Sequence, residues 1–131
     1  MTVRYVDSSA LLKRIFIEDG SDLIRESLRD SADRGDVVAS CDLAWVEVSR
    51  ALLRAGTRTL DADMADAFSG IARSPVSELI LERARRIGPS TLRSLDAIHL
   101  AAAVGLGATE LLTFDERLAV AARGIGLSTV P

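Results

Sequence analysis

Residues 4–13 read RYVDSSALLK, and the fold turns on how this stretch changes character at Asp7. Val3 to Val6, interrupted only by Arg4, is a short apolar run of strand type. Beyond Asp7, the residues Ala10, Leu11, Leu12, Ile15 and Phe16 recur at the spacing that gathers apolar groups on one side of a helix. Asp7 therefore stands where a strand stops and a helix starts. In open α/β sheets, ligands bind at that edge, outside the carboxyl ends of the strands. A carboxylate or hydroxyl there also serves as the N-cap of the next helix, so Asp7 alone does not separate a site from a cap.

The same alternation continues. Ser21–Asp33 predicts a helix with a narrow apolar stripe of Leu23, Ile24 and Leu28. Asp36–Ser40 is a short buried strand after a turn at Gly35, and Asp42–Ala55 is a helix closed by Gly56. Thr59 or Asp61 caps a further helix through Met64, Ala65, Phe68 and Ile71, which Ser74 and Pro75 end. Val76 reads as the remnant of a strand. Glu78–Ile87 is helical up to Gly88-Pro89, and Arg93–Val104 is an alanine-rich, closely packed helix. Glu110–Thr113 is a strand, Asp115–Arg123 the last helix and Gly126–Val130 the last strand. This order predicts an α/β fold, a parallel sheet flanked by helices, in one domain over residues 1–131. Strand order is not encoded in the pattern.

A chain of 131 residues, 48% hydrophobic and 27% charged, builds one globular core and is too short for two. The longest apolar run, Leu100–Ala108, is broken by glycine and far short of a membrane span. Arg4 and Asp7 stand where a signal peptide needs apolar residues. The single cysteine, Cys41, excludes an internal disulfide and a cysteine-based zinc site. These features predict a cytoplasmic protein. The net charge of −3 and pI of about 5.1 run against the basic footprint of nucleic-acid binders. Two divalent cations held by acidic residues would reverse that sign, so an acidic chain can still take a phosphate substrate.

Four of the nineteen acids stand out. Asp7 ends the first strand. Glu47 lies between Val46 and Val48, and Asp96 between Leu95 and Ala97, each in a core-facing helix where an unpartnered charge costs several kcal/mol. Asp115 follows the strand ELLT and Phe114 and opens a helix. Each has an ordinary explanation: caps for Asp7 and Asp115, an ion pair with Arg50 for Glu47, a helix-dipole contact for Asp96. Together they form a set of hard oxygen ligands suited to Mg²⁺ or Mn²⁺. Such ions do phosphoryl chemistry by activating water.

The settings of these acids, in YVDSSALLK, WVEVSRALL, RSLDAIHLAAA and LLTFDERLAVAA, resemble the PIN domain, and within it the VapC-type toxins of toxin–antitoxin pairs. The resemblance spans nearly the whole chain. It implies a four- or five-stranded parallel sheet, a Mg²⁺- or Mn²⁺-dependent ribonuclease, a VapB-like antitoxin and a homodimer. Asp7, Glu47, Asp96 and Asp115 match the family's acidic positions, and Thr113 matches a threonine two residues before the last acid. The segment around Pro75–Glu78, where the family has a clearer strand, is short here.

Ser8 and Thr113 are candidates to hydrogen-bond the carboxylates, with capping and strand-end roles as the ordinary alternative. His99, three residues after Asp96, reads as a packed or hydrogen-bonded helix residue before a proton shuttle. Trp45 reads as core or interface. Lys13, Arg14, Arg50, Arg54, Arg93 and Arg117 are candidates for phosphate contacts. Ribonucleases that use the 2′-hydroxyl commonly need paired histidines or His with Glu, and this chain has one His. The expected mechanism is therefore attack by water on a metal held by Asp7, Asp96 and Asp115, with Glu47 orienting the water or holding a second metal. The substrate expected is RNA, with tRNA or ribosomal RNA suggested by the family. The alternative is a PIN-like module that binds RNA or protein without cutting.

Overall fold

Val3 to Val6 form β1, the middle strand of a five-stranded parallel sheet. The computed structural model describes residues 2–131. The other strands are β2 (Val37–Cys41), β3 (Ala72–Ser74), β4 (Glu110–Leu112) and β5 (Ser128–Val130), in the order β3-β2-β1-β4-β5. The helices are α1 (Ser8–Leu12), α2 (Ser21–Arg34), α3 (Asp42–Arg54), α4 (Leu60–Ala67), α5 (Glu78–Ala84), α6 (Ser94–Gly105) and α7 (Glu116–Gly124). The α/β fold with a five-stranded parallel sheet agrees with the sequence expectation.

The chain builds outward from β1 to β2 and β3, then returns to the other side of β1 to add β4 and β5. Direction of growth thus reverses between β1 and β4. That reversal leaves a crevice beyond their carboxyl ends, where adjacent connections diverge. The register sets Tyr5 beside Leu111 and Val6 beside Leu112. Successive side chains leave opposite faces of a strand. Tyr5 and Leu111 accordingly join the apolar cluster that includes Leu100, Ala101 and Leu118 of α6 and α7. Val6 and Leu112 join Leu11, Ile24, Val48 and Leu52 of the first three helices. Both faces are covered, as parallel sheets require.

Several boundaries differ from the sequence expectation: α5 ends at Ala84 where the expected helix ran on to Ile87, β5 starts at Ser128 and not Gly126, and three further differences bear on the fold. Helix α1 is little more than one turn, and Ile15 and Phe16 pack against the core from beyond its end. Helix α4 stops at Ala67, because Gly70 turns the chain at φ +76° and Ile71 N–H donates back to Phe68. The third strand, read as a remnant at Val76, is Ala72–Ser74, immediately before Pro75. A strand at the sheet edge tolerates the proline that ends it.

Arg4 is the one charged side chain of β1 and is 4% exposed. It lies beside Glu110 in the register, donates from Nε to Glu110 Oε1 at 2.6 Å, and reaches Ser27 O and Ser31 Oγ on α2. It ties two strands to the helix above them. Removing the guanidinium leaves the half-buried Glu110 carboxylate and the buried Ser27 O without their donor. Arg4→Ala is expected to lower unfolding stability by about 3 kcal/mol, seen as a lower urea midpoint with an unchanged slope.

Candidate active site

Asp7 leaves the end of β1 fully inside the protein, 3% exposed. Its Oδ1 accepts from Ala10 N–H at 3.0 Å, so it is the N-cap of α1. The same oxygen accepts from Ser9 Oγ at 2.7 Å, and Oδ2 accepts from Thr113 Oγ1 at 2.5 Å. The pairing of β1 with β4 brings Thr113 there: Asp7 N–H donates to Leu112 O at the end of β4, which carries the ladder one residue past β1. Thr113 Oγ1 also accepts from Asp115 N–H, and Asp115 caps α7 through Leu118 N–H. The capping roles considered for Asp7 and Asp115 are therefore real, and they coexist with convergence.

Glu47 and Asp96 arrive on helices. Asp96 lies in the first turn of α6 and is half-buried. Glu47 lies midway along α3, also half-buried, and does not pair with Arg50. It accepts from His99 Nε2 at 2.5 Å and from Ser8 Oγ at 3.2 Å. Ser8 thus serves Glu47 and not a helix cap.

Electrostatics tie the four together. Burial pushes the Asp7 carboxyl above the usual carboxylate range, against hydrogen bonds from Thr113, Ser9 and Ala10 and the charge of His99. Burial also raises Asp96, helped by the charges of Asp115, Asp7 and Glu47 and opposed by His99. Burial disfavours a charge on His99, yet bonds to Cys41 and Glu47 and the charges of Glu47 and Asp7 raise its pKa to about 10. The acids therefore repel one another, and the His99 imidazole buried beside Glu47 counters that repulsion. Among the described residues, no three Asp, Glu, His or Cys side chains stand close enough to cage an ion by themselves. Mg²⁺ is commonly held by one or two carboxylates, with waters and substrate phosphates completing its shell. An all-oxygen set with excess negative charge fits such an ion, which relieves the repulsion.

Of the basic candidates, Arg93 and Arg117 line a hollow of about 200 Å³ together with Asp115 and Glu116. Lys13 pairs with Glu18 and lies 4.8 Å from the ring centre of Phe114. Arg14 is spent on Ala67 O and Ser69 O, while Arg50 and Arg54 are exposed. Trp45 stacks on Phe68 at 3.8 Å under Arg73, in keeping with a packing role. A larger hollow, about 790 Å³ and lined by Leu81, Ile87, Leu92 and Ile98, has none of the four acids in its lining.

The model of the PIN domain family matches residues 4–124. The chain belongs to the PIN domain family. Over 127 residues it is 35% identical to ribonuclease VapC47 of Mycobacterium tuberculosis, covering 95% of this chain and 93% of that one. Over 132 residues it is 37% identical to ribonuclease VapC46 of the same species, covering 99% and 98%. The fold is similar to the crystal structure of M. tuberculosis VapC20, described as a sarcin–ricin loop cleaving toxin. The TM-score there is 0.67 at 21% identity, covering 90% of this chain and 94% of that one. It is equally similar to a chain of VapBC2 from Rickettsia felis bound to a promoter DNA fragment, with a TM-score of 0.67 at 12% identity and 98% coverage of both.

Ser9 and Tyr5 of this PIN domain were not singled out by sequence reasoning, and Cys41 was read only as a lone thiol without a partner. Ser9 donates to Asp7 and accepts from Phe114 N–H at 2.9 Å. A serine two residues after a strand-end Asp is the available signal, since such side chains bond locally in turns. Tyr5 is 0% exposed. A phenol in an apolar strand needs a hydrogen-bond partner, which was the clue to its network.

Proposed function

We propose that this PIN domain is a VapC-type ribonuclease toxin. It hydrolyses RNA with Mg²⁺ or Mn²⁺ and is held in check by a VapB-like antitoxin in the cytoplasm. One observation supports the reading: Asp7 and Asp115, joined through Thr113, stand at the reversal point of the sheet, and the charges of Asp115, Asp7 and Glu47 act on Asp96. The ribonuclease names of relatives that match over almost the full length support the same activity. A folded RNA such as tRNA or ribosomal RNA is the substrate in this proposal, and a homodimer the working form. Exposed Leu79, Val104 and Ile125 line one shared hollow that a second protein would cover.

Asp7, Asp96 and Asp115 would hold the metal. When bound, the metal supplies an activated water and neutralises charge on the phosphate. Glu47 would orient that water or hold a second metal. Thr113 and Ser9 fix the Asp7 carboxylate, and Arg93 and Arg117 receive neighbouring phosphates. His99 is 2% exposed and bonded on both ring nitrogens, which keeps it from serving the 2′-hydroxyl directly. Among the described residues no helix is long and apolar enough to cross a membrane.

Purified protein incubated with end-labelled RNA and Mg²⁺ is expected to leave 5′-phosphate and 3′-hydroxyl ends. A 2′,3′-cyclic phosphate would refute hydrolysis by water. RNA binding without cleavage would favour a non-catalytic module.

A further inference from the structure

Glu47 is held by one oxygen. Its Oε1 accepts from both His99 and Ser8, and among the described residues no protein group donates to Oε2. Behind His99 the bonding continues inward. Nδ1 lies 2.7 Å from the Tyr5 hydroxyl, and that oxygen also accepts from Cys41 N–H at 3.3 Å and lies 3.1 Å from Cys41 Sγ. Tyr5, His99 and Cys41 are all buried, beside Leu100 and Leu111. Polar groups buried there need their hydrogen bonds met, and apolar residues would have filled the space at no such cost. The line of bonds leads to one place, the carboxylate of Glu47.

We infer that Tyr5 and His99 form a buried relay that positions Glu47, fixing Oε1 and leaving Oε2 free for the reaction. The inference rests on Glu47 belonging to the active site. The polarity at Glu47 is the same in both charge states of the imidazole. With neutral His99, the Tyr5 hydroxyl donates to Nδ1 and the ring proton sits on Nε2. With cationic His99, Nδ1 donates to the Tyr5 oxygen, the Tyr5 hydroxyl turns to Cys41 Sγ, and Nε2 still carries a proton. Nε2–H donates to Oε1 in each case, so His99 acts as a fixed donor and not as a shuttle.

Two amide substitutions separate this role from simple packing. His99→Gln keeps an N–H at the reach of Nε2, whereas His99→Asn keeps one only at the reach of Nδ1. His99→Asn is expected to lose about 10- to 100-fold in kcat with KM for RNA unchanged, and His99→Gln to retain most of the rate. In single-turnover assays on a Glu47→Ala background, both changes should have no further effect, since the path from His99 runs through Glu47. In the metal-free protein, ¹⁵N NMR should show the proton on Nε2 of His99, and Glu47→Ala should shift that nitrogen. Equal losses for Gln and Asn, additive losses on the Glu47→Ala background, or a bare Nε2 would each overturn the relay. If both His99 variants fail to fold, Tyr5→Phe and the NMR spectrum decide: an unchanged kcat or an Nε2 indifferent to Glu47→Ala would overturn it. Undiminished cleavage in Glu47→Ala would instead overturn the reading of Glu47 as an active-site residue. Loss in Glu47→Ala with a fully active His99→Asn would overturn only the relay.

Discussion

Asp7→Asn is expected to lower RNA cleavage by on the order of 10²-fold or more, while making the metal-free protein more stable at neutral pH. The loss follows from removing the most buried carboxylate of the site. The gain follows from the direction of its pKa. Burial raises Asp7 above its ordinary value of 3.8. Between the ordinary and the raised value, the folded chain binds more protons than the unfolded one, so stability falls as pH rises through that interval. Above it, the wild type carries the full cost of a buried charge, which asparagine does not. Asparagine also caps helices well, so Ala10 N–H keeps its acceptor. Thermal unfolding across pH would show the advantage of Asp7→Asn shrinking as pH falls through the raised pKa. A variant that is less stable at every pH, or one that cleaves like the wild type, would refute the argument. Asp7→Ala is the poorer test, since it also strands Ser9 and Thr113.

Chelation by EDTA is expected to abolish cleavage and leave the fold standing. The two cores are apolar and owe nothing to a metal, unlike small zinc-built domains. Mn²⁺ should restore activity and raise the melting temperature, since mass action adds about 2.7 kcal/mol of stability at a hundred times its Kd. Asp96→Asn should blunt that response, because Asp96 stands among the charges of Asp115, Asp7 and Glu47. An equal response in wild type and variant would remove Asp96 from the ligand set. Full activity in EDTA would end the metal reading while leaving that of a ribonuclease intact.

Much of this was legible before any coordinates, and the reason differs by residue. Asp7 and Asp115 end apolar runs and begin helical ones, so their place at the sheet edge follows from periodicity. Glu47 and Asp96 could be noticed because they interrupt apolar helix faces, but their ordinary partners were misjudged for Glu47. Arg50 is its neighbour at helical spacing, whereas His99 is 52 residues away and reaches it only through tertiary packing. Strand order was not legible, since hydrogen-bonding partners between strands leave no trace in local pattern. The third strand was misplaced by a few residues because Ala72–Ser74 is short, largely exposed and lacks an alternating face. Ser9 escaped because a side chain that serves a turn and a carboxylate at once looks, in sequence, like any serine in a loop.

The bond from Thr113 to Asp7 joins residues 106 positions apart. During synthesis at about 5–20 residues per second, some 5–20 s separate the two on the ribosome. Through that interval the nascent chain holds Asp7 without β4, and so without Thr113, Asp115 or the crevice between them. On the proposed reading, a half-made chain would lack its activity, which would arise only once β4 and Asp115 are in place. An inhibitor that recognises segments made early can be waiting on the chain before its chemistry exists.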